Sequence, residues 1–311
     1  MIFHQPVLLK ETFAFLGVRP GQVFIDGTLG GGGHSQKIIQ AGGLVIGVDQ
    51  DPEALIWAQK TLRSACPAPL CSKQKGAISQ ASGFDQQPFV LVEDNFANLK
   101  KIAENLNLKK VNGVLFDLGT SYYQLKENRR GFSFESDYLD MRMSPNLAVS
   151  AADLVAALSE NELCQIFKKF AQEKQAKTIA RAIVRARQIA PINSGKRLAD
   201  IIDRAVSLKR GRIHPATKAF QALRITVNDE LNNLASGLEQ AEELLEPGGR
   251  LVVISFHEGE DRLVKNFFKQ KFQEKRLNLI TKKPVTPNLK EITQNPKSRS
   301  AKLRVAEKNN D

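Results

Sequence analysis

The chain has 311 residues, 42% of them apolar and 25% charged, with a net charge of +12, which is enough apolar material for one large or two ordinary globular domains. Its opening residues lack the basic start and apolar run of a signal peptide, and no stretch approaches the roughly 20 apolar residues of a membrane span, so the expected compartment is the cytoplasm. Three cysteines, Cys66, Cys71 and Cys164, show no paired C-x-x-C spacing and support neither a disulfide framework nor a zinc site.

In chain order, Val23-Phe24-Ile25-Asp26 reads as a buried parallel strand ending in an acid. It runs through Gly27-Thr28-Leu29 into four consecutive glycines, Gly30 to Gly33, and a helix opening at His34. Leu44-Val45-Ile46-Gly47-Val48-Asp49 is a second strand ending in an acid, followed by a helix over about Pro52 to Arg63 with proline in its first turn. Residues 64–88 are rich in breakers and read as a flexible surface loop. Phe89-Val90-Leu91-Val92 is a third strand leading to Asp94-Asn95-Phe96, and Val111 to Asp117 a fourth. From Gln124 to about His214 strand-like runs stop, and helical periodicity covers 151–171, 173–189 and 197–208. A long helix over about Ala216 to Leu245 turns at Glu246-Pro247-Gly248-Gly249 into a fifth strand, Arg250 to Phe256, with weaker runs at Leu277–Thr281 and Leu303–Ala306. The alternation predicts an α/β fold with a mostly parallel sheet and right-handed crossovers, interrupted by a helical insertion, with ligands at the carboxyl ends of the strands.

The glycine turn between two acid-tipped strands is a nucleotide-site signature, since glycine lets the backbone approach a ligand closely. The dinucleotide pattern G-x-G-x-x-G has no full match, and an acid ahead of the turn is unfavourable beside a pyrophosphate. S-adenosylmethionine, a cation without phosphate, fits better: Asp26 lies where it can face the ammonium or sulfonium, and Asp49 where a ribose-binding carboxylate is expected.

The charge is uneven. Residues 165–218 carry 14 Lys and Arg against 3 acids and 261–311 carry 14 against 5, whereas 219–260 carry 2 against 8. Two basic blocks beside neutral or acidic segments form a polyanion footprint, and RNA or DNA is the expected partner.

Longer motifs carry a resemblance. His4-Gln5-Pro6-Val7-Leu8-Leu9, Asp117-Leu118-Gly119-Thr120-Ser121, Arg130-Gly131-Phe132-Ser133-Phe134, Leu139-Asp140-Met141-Arg142-Met143, His214 to Ile225 and Asn295 to Arg304 together resemble the ribosomal RNA small subunit methyltransferase H family, also called MraW, over nearly the whole chain. The resemblance implies a class I, Rossmann-like methyltransferase that uses S-adenosyl-L-methionine and methylates the N4 amine of a cytidine in the decoding region of 16S rRNA; no metal cluster is visible in the sequence, and this chemistry requires none. The small ribosomal subunit would be its partner. Residues 1–125 and 215–311 would form the cofactor-binding domain, and 126–214 an inserted helical substrate-recognition domain. By position, the family's cofactor contacts fall on Gly32, Gly33, His34, Asp49, Phe96, Asp117 and Gln124, with Asp94 a further candidate acceptor for the adenine amine. The chain departs from the family pattern at Tyr122-Tyr123 and at Glu258-Gly259.

An exocyclic cytosine amine is a weak nucleophile, so acceptors must draw on its hydrogens. Asp117 and the carbonyl of Leu118 are the candidates, with Tyr122, Phe132 or Phe134 stacking on an extruded base. Arg129, Arg130, Arg142, Arg181, Arg185 and Arg187 are the expected phosphate contacts. His257 is either a proton relay or a structural histidine. Two alternatives stay open: a non-catalytic rRNA-binding or assembly protein on the same fold, and a methyltransferase for another nucleic-acid amine.

Overall fold

The computed structural model describes residues 6–65, 84, 87–206 and 214–310, and the side chain of Tyr122 is not among the described groups. His4, Gln5 and most of the expected 64–88 loop, with Cys66 and Cys71, therefore lie outside the described residues. The chain divides into two compact units, Met1–Gly119 with Leu231–Asp311, and Thr120–Glu230. No helix among the described residues is long and apolar enough to cross a membrane.

The first unit is built on a seven-stranded sheet. Its strands are β1 (Val23–Asp26), β2 (Leu44–Asp49), β3 (Phe89–Glu93), β4 (Val111–Asp117), β5 (Leu245–Ser255), β6 (Leu277–Leu279) and β7 (Lys302–Lys308). The order is β3-β2-β1-β4-β5-β7-β6, with β1 to β5 parallel and β7 antiparallel to both β5 and β6. The two weak apolar runs near the end of the chain are thus strands. Side chains alternate across the sheet with the period of two that strands impose. Ile25, Ile46, Val114, Phe116 and Val253 face one core, packed by Ile102 of α4 (Leu99–Asn105), Leu238 of α11 (Glu230–Leu244) and Phe268 of α12 (Glu258–Gln273). Phe24, Val45, Leu115 and Val252 face the other, packed by Leu16 of α1 (Leu9–Leu16), Ile39 of α2 (Gly33–Gln40) and Leu62 of α3 (Pro52–Ala65). Both faces are covered, which is why these strands read as nearly continuous apolar runs. The expected turn at 246–249 sits inside β5: Val111 pairs with Leu245 but Gly113 with Arg250, so the intervening residues bulge out around Gly248 at φ +78°.

The second unit is helical. It contains α5 (Tyr122–Lys126), α6 (Ala151–Ala157), α7 (Glu160–Ala171), α8 (Ala176–Ile189), α9 (Gly195–Ala205) and α10 (Thr217–Asn228) around one apolar core. It reaches beyond 126–214 because Ala219, Phe220, Ala222 and Leu223 of α10 belong to that core.

Two expected helices are broken. The run 151–171 divides because Ser159 starts a new helix, its hydroxyl accepting from the Glu162 N–H while the Glu162 carboxylate accepts from the Ser159 N–H. The run 216–245 divides at Asp229, which takes the left-handed conformation at φ +48°, at the boundary between the units. Just before that break, the buried Asn228 accepts from the Met143 N–H at 2.7 Å and donates to the Met141 and Arg224 carbonyls at 2.8 and 2.9 Å. It holds Met141 at φ +63°, a conformation uncommon for a side chain of that size.

Candidate active site

The carboxyl ends of β1, β2 and β4 bring the expected acids to one edge of the first unit. Asp26 is enclosed, 2% exposed, and its oxygens accept from Ser35 Oγ at 2.6 Å and Thr28 N at 3.3 Å. Burial holds its pKa above the ordinary carboxylate range, against the lowering effect of the Ser35 bond. Gly32, at φ +78°, turns the chain into α2, and a Cβ on Gly33 would lie 2.3 Å from Pro6 Cγ, so the turn admits no side chain there.

Asp49 locks the turn from the neighbouring strand. Its Oδ2 accepts from the Gly30 N–H at 2.8 Å and its Oδ1 from the Asp51 N–H at 2.9 Å. Burial raises its pKa to about 6, and these two N–H donors oppose the rise. A carboxylate offers about four lone pairs, so capacity remains for a ribose diol. Beyond β3, Asn95 caps a short 3-10 turn by accepting from the Ala97 N–H, and this places the half-buried Phe96 against Phe116, ring centroids 5.1 Å apart. Asp94 accepts from Asn95 N and Asn98 Nδ2, both at 2.7 Å.

Asp117 ends β4. Its N–H donates to Thr28 Oγ1 at 2.5 Å, and its Oδ2 lies 3.5 Å from Nε2 of the buried His34. Asp117 Oδ1 and both ring nitrogens of His34 are buried without a hydrogen-bond partner among the described residues. Buried polar atoms are normally satisfied, so three unsatisfied ones beside a glycine turn mark a place for a polar ligand. Thr28 is not singled out by the sequence patterns above, although a small hydroxyl between the acid and the glycines is the signal that points to it.

The next peptide is fixed by the Leu118 N–H donating to the Ile254 carbonyl at 2.9 Å. Gly119 follows at φ +101°, where an added Cβ would sit 3.5 Å from Phe256 Cδ2. His257 caps α12: its Nδ1 accepts from the Glu260 N–H at 3.3 Å, while Glu260 Oε2 accepts from the Phe256 and His257 N–H groups. This geometry favours the structural role over a relay.

In the second unit, Gln124 is 5% exposed and forms a reciprocal cap with Ser121 at the start of α5, which Tyr122 opens. Three of the arginines expected at phosphates are engaged with backbone carbonyls. Arg130 donates to the carbonyls of Arg142 and Met143. Arg142 pairs in bidentate fashion with Asp140 at 2.8 Å and reaches the Leu147 carbonyl. Arg187 donates to the Val155 and Leu158 carbonyls, satisfying the orphan end of α6. Arg129, Arg181 and Arg185 are exposed, with Arg181 3.4 Å from Glu160. Phe132, expected on a base, is 7% exposed and belongs to the helical core. Phe134 is half-buried, with His214 stacked on it at 4.7 Å and Phe220 edge-on at 4.7 Å.

The chemistry of the first unit's edge fits a cationic nucleoside: carboxylates of Asp49 and Asp117, unsatisfied atoms on His34, an aromatic face at Phe96, and a turn too tight for side chains. Comparison with known proteins agrees. The profile of the MraW methylase family matches residues 1–309. A ribosomal RNA small subunit methyltransferase H of Carboxydothermus hydrogenoformans is 45% identical over 323 residues, covering 98% of this chain and 97% of the relative. Proteins of the same name from Sulfurihydrogenibium sp. and Thermomicrobium roseum are 43% and 42% identical, each covering 98% of this chain and 99% and 93% of the relative, respectively. The chain belongs to the MraW methylase family and is a methyltransferase.

Proposed function

We propose that the chain methylates the N4 amine of a cytidine in the decoding region of the small-subunit rRNA, acting in the cytoplasm on the small ribosomal subunit or its precursor. The observation that carries this reading is Asp117: a carboxylate at the end of β4, with its backbone fixed by Thr28 and one oxygen unsatisfied. S-adenosylmethionine, when bound, supplies a methyl group made electrophilic by the sulfonium. Asp49 holds the ribose hydroxyls, Phe96 packs on the adenine, and Gly32, Gly33 and His34 line the rest of the donor, with Gln124 the further contact expected from the family.

The acceptor amine is poor because its lone pair is delocalised into the ring. Asp117 Oδ1 and the Leu118 carbonyl would accept hydrogen bonds from it and draw the nitrogen towards a pyramidal geometry in which the lone pair attacks the methyl carbon as its bond to sulfur breaks, the neutral thioether leaving and the surplus proton passing to Asp117 or solvent. Fixing both acceptors on one strand end contributes mainly orientation, which dominates the acceleration of a reaction between two bound partners. The exposed Arg129, Arg181 and Arg185 contact phosphates, and Phe134 or Tyr122 supports the extruded base.

The test is nucleoside mass spectrometry of 16S rRNA from cells with and without the gene. N4-methylated cytidine is expected to disappear on deletion and return with the wild-type gene. An unchanged level overturns the substrate assignment, while titration calorimetry with S-adenosylmethionine checks the donor separately.

A further inference from the structure

We infer that the surface formed by residues 281–302 of the first unit is a phosphate-binding edge that grips the RNA backbone next to the target nucleotide. This rests on the reading that the substrate is RNA.

The register of the sheet places this surface. Asp117 of β4 pairs with Ile254 of β5, and Ile254 with Leu303 of β7. Two strand spacings put the backbone of Leu303 about 10 Å from that of Asp117. Because β7 runs antiparallel to β5, it begins at the edge where β4 and β5 end, with Lys302 opposite Ser255. The residues leading into β7 therefore border the edge that carries the acceptor groups.

Those residues form a rigid turn that carries its charge outward. Pro296–Ser300 is a 3-10 turn in which the fully buried Ser298 donates both its N–H and its hydroxyl to the Asn295 carbonyl, at 2.9 and 2.8 Å. Lys297 and Arg299, on either side of Ser298, are exposed. A second segment runs alongside. Ile280 and Thr281 donate to the Val305 carbonyl, and four residues later Val285 bridges to Leu303 with bonds of 2.9 and 2.8 Å. Between these anchors Lys282 and Lys283 are exposed.

The acids of this region are already engaged: within the segment, Glu291 accepts from the Leu8 N–H at 2.7 Å. Asp261 accepts from Arg304 Nε at 2.7 Å and from Lys302 Nζ at 3.1 Å. Among the described residues, no carboxylate pairs with Lys282, Lys283 or Arg299. Ordered backbone, outward cations and carboxylates already engaged by Leu8, Lys302 and Arg304 suit a polyanion whose phosphates repeat along a strand.

The experiment compares the wild-type chain with a triple variant, Lys282→Gln, Lys283→Gln and Arg299→Gln, binding a 16S rRNA fragment that spans the decoding region at several salt concentrations. The variant is expected to bind about tenfold more weakly or worse, with a plot of log affinity against log salt shallower by about 2, as loss of three single-strand phosphate contacts requires. KM for the RNA should rise while kcat at saturating RNA holds, and calorimetric binding of S-adenosylmethionine should be unchanged. Equal affinity and equal slope for the two proteins overturn the inference. So does RNA affinity that is kept while binding to phosphatidylglycerol vesicles is lost. Failure of the wild-type chain itself to bind or methylate the RNA is a separate outcome, and overturns the parent reading.

Discussion

His34 Nε2 stands 3.5 Å from Asp117 Oδ2, which joins the first turn of α2 to the end of β4. The glycine turn and the Asp117 carboxylate thereby lie side by side, and the Thr28 hydroxyl ties them by accepting from the Asp117 N–H. Precise placement of reacting groups depends on such ties.

Replacing Asp117 with Asn should lower the rate of methyl transfer at least about a hundredfold, the range found when a positioned proton acceptor is removed. Single-turnover assays with radiolabelled donor measure it, and a rate within a factor of three of wild type would remove Asp117 from the chemistry.

Asp49 gives a pH dependence whose sign is fixed. Its pKa rises from 3.8 to about 6 on folding. Between those values the folded, donor-free protein holds a proton that the unfolded chain releases, so the stability from this group is greatest at the acid end and is lost as pH rises through about 6. On the role proposed for Asp49, ribose hydroxyls would donate to the ionised form, so donor affinity should rise over the same interval. Titration calorimetry at pH 5, 6 and 7 should show this trend, and Asp49→Asn should flatten it and weaken binding by roughly tenfold or more.

Asn228→Ala removes three hydrogen bonds of a buried side chain and frees the strained Met141. A loss of about 2–4 kcal/mol is expected, since the Met143 N–H and the Met141 carbonyl lose their Asn228 partner. Hydrogen exchange should show faster opening of residues 139–143, while donor binding in the first unit stays intact.

Arg304 and Asp261 form a buried pair between β7 and α12. Arg304→Leu should cost about 1.5–3 kcal/mol, because Asp261 keeps only the half-exposed Lys302 as its partner, and the added change Asp261→Leu should restore part of that loss. Chemical denaturation of the three proteins tests this, and additive losses would contradict it.

The parallel strands and the edge that gathers their terminal acids are legible in the sequence because their signals are local: apolar runs, terminal acids and a block of glycines. The helix breaks are harder. Periodicity continues across Leu158-Ser159 and across Asp229, yet Ser159 and Glu162 spell out a capping box, a signal the periodicity obscures. Asp229 has no comparable local signature. It takes the left-handed cap position of α10, where its N–H donates to the Ile225 carbonyl. The arginines and phenylalanines divide by tertiary context in the same way. Arg130 and Arg142 donate to the carbonyls of Arg142, Met143 and Leu147, and Phe132 fills a core while Phe134, two residues on, carries His214. Sequence spacing alone does not separate such neighbours.

The pairing of β4 with β5 has a kinetic consequence. Asp117 can meet Ile254 only after the chain closes over roughly a hundred intervening residues of the second unit. Closure entropy grows only logarithmically, by about 0.6 kcal/mol per doubling, so the interruption is thermodynamically mild. For the folding rate it matters more, because non-local strand pairing is intrinsically slow. Early compaction of the helical unit would shorten the effective loop, so refolding of the donor site should lag behind the appearance of helix, and mutations in the helical core should delay recovery of donor binding without touching it at equilibrium.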